Sequence, residues 1–243
     1  EDPREWLEDV LGDEALAWVR QCNAKSVAAL FGNEDPQQSR LYGRFLDILE
    51  SKAKIPYIGR VLNGLLYNFW QDDRQVRGVW RRCTIDEYRK PAPAWETVLD
   101  IDALNAAEGE PWVWKGSTVL DEGPDVPTQL VLISLSRGGA DATVVREFDI
   151  CSKAFVPPSE GGFFIPEAKS RKCWKDRNTL LVGSDFGSGS MTESGYPRTC
   201  RQWSRGTPLD KAPQVFAGLP TDVSVSQFSY LDRGRRYEFR HRS

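Results

Sequence analysis

Histidine is almost missing from this chain: among 243 residues it occurs once, as His241, two residues from the end. A single histidine at that position excludes a Ser-His-Asp triad, a multi-histidine metal site or a paired histidine acid–base site built from this chain alone. Cysteine is scarce and scattered. Cys22, Cys83, Cys151, Cys173 and Cys200 stand 61, 68, 22 and 27 residues apart. That spacing contains no Cys-x-x-Cys and no zinc pattern. An odd number of widely separated thiols predicts reduced cysteines and a cytoplasmic setting. No apolar run approaches the ~18 residues of a membrane span, so no membrane partner is expected. The opening Glu1-Asp2-Pro3-Arg4 is polar and acidic, with no signal-peptide pattern. Neither sign of charge dominates: 32 Lys and Arg stand against 35 Asp and Glu, a net of −3, which gives no reason to expect nucleic acid. One local excess breaks the balance. Arg233, Arg235, Arg236, Arg240 and Arg242 against Glu238 leave the last residues at +4. Tyr230, Tyr237 and Phe239 lie among these arginines, which reads as a solvated strand pair rather than a basic binding tail.

What is present is first helical and then strand-like. Asp13 is placed to cap a helix running to about Phe31, with Leu16, Val19, Val27, Leu30 and Phe31 apolar. Asp35-Pro36 opens a second helix, on which Leu41, Phe45, Ile48 and Leu49 recur at helical spacing. Lys52 to Lys54 and Ile55-Pro56 close it. Beyond Pro56 come strand-like runs at 65–70, 76–82, 95–99, 130–135, 142–148, 180–183 and 198–203, separated by turn signals such as Arg137-Gly138-Gly139. Only the short stretch 101–107 reads as helical, which argues against a parallel α/β sheet. The runs also repeat. Val98, Phe155 and Val215 occupy equivalent places at intervals of 57 and 60 residues, each long enough for four strands. Four antiparallel strands per repeat is the pattern of a β-propeller blade. The expected fold is therefore mainly β: an incomplete β-propeller of about three four-stranded antiparallel blades plus the start of a fourth, preceded by an α-helical arm. The arm takes 1–55 and the partial propeller 56–243, with blades near 57–110, 111–160 and 161–218 and the next beginning at 219–243.

Each candidate functional residue also has a plainer role. Gly187-Ser188-Gly189-Ser190-Met191 is the nearest approach to the Gly-x-Ser-x-Gly elbow of serine hydrolases, but the frame is wrong and no helix follows. It reads as a flexible hairpin loop. Arg77, Arg81, Arg82 and Arg146 could line a tunnel and meet a peptide C-terminus; cross-strand pairing is the commoner role. Trp6, Trp18, Trp70, Trp80, Trp95, Trp112, Trp114, Trp174 and Trp203 could stack on sugars, but aromatics in strands more often fill the space between blades. Trp112 and Trp114 flank Val113 and should face one side of a strand. Asp72-Asp73, Asp100 with Asp102, and Asp121-Glu122 lack the calcium-loop form and read as turn caps. No catalytic, cofactor-binding or metal-ligating residue is assigned, and no cofactor is expected.

The run Asp2-Pro3-Arg4-Glu5-Trp6-Leu7-Glu8-Asp9 resembles the Asp-Pro-x-x-Trp-Leu-Glu opening of the prolyl oligopeptidase family of serine peptidases. Ala17-Trp18-Val19-Arg20-Gln21-Cys22-Asn23-Ala24 is similar to the family's Trp-Val-x-x-Gln-Asn helix, with Cys22 as one extra residue. Asn68-Phe69-Trp70-Gln71-Asp72, Ser134-Leu135-Ser136-Arg137-Gly138-Gly139 and Gly183-Ser184-Asp185-Phe186-Gly187 fall where the family has early propeller strands. The resemblance covers essentially the whole chain. It implies a propeller set as a lid over a C-terminal α/β-hydrolase domain that cleaves short peptides, often after proline, by serine attack with His as base. None of that catalytic machinery matches a position here. The resemblance therefore implies an N-terminal propeller region that gates access of short peptides to an active site outside this chain, and that is inactive alone. The rival expectation is a stand-alone interaction module in which a second copy covers the open propeller edge.

Overall fold

The computed structural model describes residues 2–9, 11–51 and 53–243. The chain forms two compact units, Glu1–Lys54 and Ile55–Ser243.

The first unit is helical. A 3-10 turn at Glu5–Glu8 precedes α1 (Asp13–Phe31) and α2 (Arg40–Leu49). Trp6 and Trp18 meet edge to face at 6.0 Å. The cap of α1 is Gly12, not Asp13. Asp13 already has helical geometry, and with Glu14 it places negative charge at the positive end of the helix dipole. Asp35-Pro36 does not open α2 either. Its carboxylate accepts the Gln37 N–H and starts a separate 3-10 turn at Pro36–Gln38. The cap of α2 is Ser39, whose hydroxyl accepts from Tyr42 N–H at 3.2 Å. The apolar stripe of α2 is realised, with Leu41, Phe45, Ile48 and Leu49 all exposed. Lys52, expected to help close this helix, lies outside the described residues.

The second unit is built of antiparallel sheets. The first contains β1 (Arg60–Leu62), β2 (Leu65–Trp70), β3 (Val79–Cys83) and β4 (Glu96–Asp100), paired in that order. A one-turn helix, α3 (Ile85–Tyr88), sits between β3 and β4, and α4 (Ile101–Glu108) follows β4. The second sheet contains β5 (Trp112–Val119), β6 (Leu130–Arg137), β7 (Thr143–Asp149), β8 (Ala154–Phe155) and β9 (Phe164–Ala168). The third contains β10 (Arg171–Asp176), β11 (Thr179–Gly183), β12 (Thr199–Ser204) and β13 (Gln214–Ala217). A hairpin, β14 (Val225–Asp232) and β15 (Arg235–Arg242), comes last. Val98, Phe155 and Val215 lie in β4, β8 and β13, the fourth strand of each successive set.

β9 departs from the sequence reading, which opened a new blade at 161. It pairs with β7, Val145 opposite Ile165 and Arg146 opposite Phe164, so β8 and β9 share one edge of that strand. Gly161 and Gly162 make the return possible. Gly161 has φ 84°, and a Cβ on Gly162 would stand 2.0 Å from the Val156 carbonyl oxygen.

The core lies between sheets. β6 shows why: its run Leu-Val-Leu-Ile-Ser-Leu-Ser is buried throughout. Side chains on a strand alternate faces. Val131, Ile133 and Leu135 enter a core with Tyr67, Trp80, Ile101 and Phe148 from one side. Leu130 and Leu132 enter a second core with Phe163, Trp174, Leu180 and Trp203 from the other. Fully burying each such side chain contributes about 1.5–3 kcal/mol.

Candidate functional site

The residues singled out in the sequence do not form one site. The Gly187-Ser188-Gly189-Ser190-Met191 segment lies, as expected, in the hairpin connection between antiparallel β11 and β12, but it is tied down by local hydrogen bonds. Ser190 is buried; its Oγ lies 2.6 Å from the Gly187 carbonyl oxygen and 3.3 Å from Asp185 Oδ1, and accepts from Phe186 N–H at 2.8 Å. Those local bonds tie the loop down and occupy the hydroxyl. His241 is exposed on β15, opposite Ser226.

The four arginines are dispersed. The Arg81 guanidinium lies between the Trp70 and Trp95 rings, 4.4 Å from each centroid, and Nε donates to Asn68 Oδ1 at 2.8 Å. Burial lowers its pKa. Arg82 donates to both oxygens of Glu96, to Tyr67 Oη and to the Ile150 carbonyl. Its hydrogen bonds, followed by those of Lys153, hold the Glu96 carboxyl down to about 2. Burial raises the Tyr67 phenol. Arg146 pairs with Glu108 at 2.7 Å and covers the Phe155 ring at 3.7 Å. At Arg77 the backbone N–H donates to the Asp102 carboxylate.

The tryptophans of the second unit mostly fill the seams between sheets. Trp80 and Trp114 lie 5.4 Å apart, and Trp112 and Trp114 reach the same core, as their alternation predicts. Trp174 and Trp203 meet Phe163 in the other core. The acidic pairs serve turns and caps. Asp72 accepts from Arg74 and Gln75 N–H, Asp100 caps α4 at Ala103 N–H, Asp121 accepts from Gly123 N–H, and Glu122 pairs with Arg177. Among the described residues no group of three His, Cys, Asp or Glu is placed to hold a metal.

The basic tail is only half solvated. Gln227 is buried and donates to the Arg171 and Leu181 carbonyls, while Glu238 pairs with Lys175 and Arg240. The opposite face carries a ladder of rings, with Phe228 on Phe239 at 5.0 Å and Tyr230 on Tyr237 at 5.5 Å. Phe228, Tyr230 and Phe239 remain 41–49% exposed.

Sequence reasoning missed the seam between the second and third sheets. Glu147, 1% exposed, receives both Nη groups of Arg205 at 2.8 and 3.0 Å and the Phe163 N–H at 2.8 Å. Arg205 also covers the Phe163 ring at 4.5 Å. Beside this clamp lies a cleft of about 800 Å³ between β9 and β12, and next to it another of about 580 Å³. Only the alternation of Thr143–Asp149, which carries an acid to a buried face, signals any of this in the sequence.

Successive antiparallel sheets of four strands, the second extended by β9, are the pattern of a β-propeller. Residues 1–216 match the family model described as the N-terminal β-propeller domain of prolyl oligopeptidase, and the chain belongs to that family. A peptidase of Sinorhizobium fredii, itself called uncharacterized, is 40% identical over 97% of this chain, which covers 31% of that protein. A solved structure titled as a post-proline cleaving enzyme from Rickettsia typhi superposes with a TM-score of 0.77 at 30% identity, over 93% of this chain and 33% of its own. Oligopeptidase B from Leishmania major, at 15% identity and a TM-score of 0.58, shares the fold. The chain thus spans about a third of the length of the relatives it matches.

Proposed function

We propose that this chain is the helical arm and first blades of the propeller of a serine-type oligopeptidase. In this reading 1–55 is the arm and 56–243 the partial propeller. In the whole protein the propeller stands over an α/β-hydrolase active site and gates it, admitting short extended peptides and excluding folded ones. Cleavage after proline follows the name of the Rickettsia typhi relative. The observation that carries this reading is the family match over residues 1–216. The share of the relatives that this chain leaves uncovered is long enough for further blades and a hydrolase domain. The five free thiols suit a reducing, cytoplasmic compartment, and among the described residues no helix is long and apolar enough to cross a membrane.

Catalysis then belongs outside residues 1–243. Ser190 is tied into its own loop, and His241 is exposed on β15. The purified, mass-verified chain is expected to leave a proline-containing reporter peptide intact and to resist a serine-directed fluorophosphonate; clear turnover would sink the proposal. The gating role has its own test in the full-length protein. Cleavage should be confined to short peptides, and removal of the arm and propeller should open the site to larger, unfolded substrates. Equal size selectivity with and without the propeller counts against gating. A second reading, self-association, rests on the exposed ring ladder of β14 and β15.

A further inference from the structure

The third sheet turns one face toward the second. On it, register sets Lys172 of β10 beside Val182 of β11, and Val182 beside Arg201 of β12. One end of this face, with Trp174, Leu180 and Trp203, is apolar and packs into the second core. The other end carries two cations. The Lys172 ammonium donates to Ser134 Oγ of β6 at 2.6 Å, and burial pushes its pKa down to about 8. Arg201 donates from Nη1 to the Asp210 carbonyl at 2.7 Å and covers the Phe186 ring at 4.0 Å; its Nε is buried without a partner. Among the described residues neither cation pairs with a carboxylate. Three buried hydroxyls at the same end, on Ser136, Ser170 and Thr199, also have no partner.

Buried polar groups are normally hydrogen-bonded, and buried charges are normally paired or neutralised. A lysine can lose its proton; an arginine cannot. Arg201 therefore keeps its charge, and it lines the cleft of about 800 Å³ together with Ser184, Phe163, Phe164 and Leu209. That size suits a ligand of a few to a few tens of atoms. Three acids also line the cleft. Glu167 pairs with Arg137 at 2.7 Å, and Asp185 and Asp210 are exposed, so water screens them. Arg201 is half-buried with its Nε fully covered, and negative charge is confined to the exposed rim.

We propose that this cleft binds a carboxylate carried on an apolar body. The carboxylate meets the Arg201 guanidinium and the Ser184 hydroxyl, and the body lies against Phe163, Phe164 and Leu209. Lys172 adds positive charge from the neighbouring part of the same face. Such a group is found both on free arylalkyl acids and at the C-terminus of a short peptide with an apolar last residue. This site is independent of any hydrolase chemistry, so it stands or falls apart from the gating role.

Calorimetric titration of the 243-residue chain at neutral pH tests it with 4-phenylbutyrate, 4-phenylbutanol and 4-phenylbutylamine, and with N-acetyl-Ala-Phe as free acid and as amide. The acid of each set is expected to bind at least about tenfold more tightly than its neutral or cationic partner. Arg201→Gln should erase that preference, Arg201→Lys should keep part of it, and Lys172→Met should weaken it less. A tighter peptide acid assigns the site to peptide C-termini, and a tighter phenylbutyrate assigns it to free acids. Equal binding of acid, alcohol and amine, preference for the amine, no heat from any ligand, or an acid preference untouched in a folded Arg201→Gln variant would each overturn the proposal. If Arg201→Gln does not fold, the ligand comparison on the parent chain still decides.

Discussion

Glu147 and Arg205 illustrate what a single buried residue does in this chain. Glu147 is covered on all sides and is held by two guanidinium nitrogens and one backbone N–H. Removing one partner leaves an uncompensated charge inside, so Arg205→Met should cost about 3–5 kcal/mol in denaturant unfolding. Replacing both, as Glu147→Leu with Arg205→Met, should recover much of that loss. Lys172 gives a pH-dependent case. Burial lowers its folded-state pKa to about 8, below the ordinary value of roughly 10.5. Between those values the unfolded chain binds more protons, so this group makes stability rise with pH across that window. Subtracting the stability profile of Lys172→Met from that of the parent should isolate this rise; a flat difference would contradict it. Cys173 and Cys200 are pushed up to about 12 and 11 by burial. Near pH 8 a thiol reagent should therefore modify exposed Cys151 first and leave these two until the chain unfolds. At this scale little was legible in the sequence. Nothing in the one-dimensional pattern tells that Glu147 meets Arg205, 58 residues away, because the pairing depends on two sheets facing each other.

The elements were more legible, because period-2 patterning and turn residues are local. β2 runs from Leu65 to Trp70 as expected, and β6, β7, β11 and β12 lie within a residue or two of the expected runs. Short β1, β9, β10 and the one-turn α3 were missed outright, and among the helices that were read the errors fell at boundaries, where several capping residues compete. Gly12 displaced Asp13, and Ser39 displaced Asp35. Asp100 is the clear cap, taking Ala103 N–H at 2.9 Å at the start of α4. Asp100→Ala should cost about 1 kcal/mol, which for a chain of this size lowers the melting midpoint by about 2–4 °C. β9 was misassigned because its partner is chosen by a turn that only glycine allows. Gly162→Ala should drive a methyl into the Val156 carbonyl, loosen the β8–β9 turn and cost about 1–3 kcal/mol. Unchanged hydrogen exchange at Ile165 and Phe164 in that variant would show that the turn does not hold the strand.

For the whole molecule, the repeat of Val98, Phe155 and Val215 made the architecture readable, since each position returns to the same strand of the next sheet. The opening Asp-Pro-Arg-Glu-Trp motif made the family readable as well. The ring ladder was partly visible as aromatics among arginines; its segregation to one face of the hairpin needed the register. If that face associates, the chain should sediment as a dimer at micromolar concentration, and Phe228→Ser with Phe239→Ser should return it to monomer. A monomer at all concentrations rejects self-association. The split edge of β7 bears on a different hazard. A long, flat, unpaired strand edge is a template on which other chains add and aggregate. Here β4 and β13 are five and four residues long, and the two-residue β8 gives way to β9 after a proline-rich, glycine-hinged turn. Along that edge of the second sheet a passing extended segment meets the break between β8 and β9 instead of one continuous strand. Strand addition at that edge is thereby disfavoured.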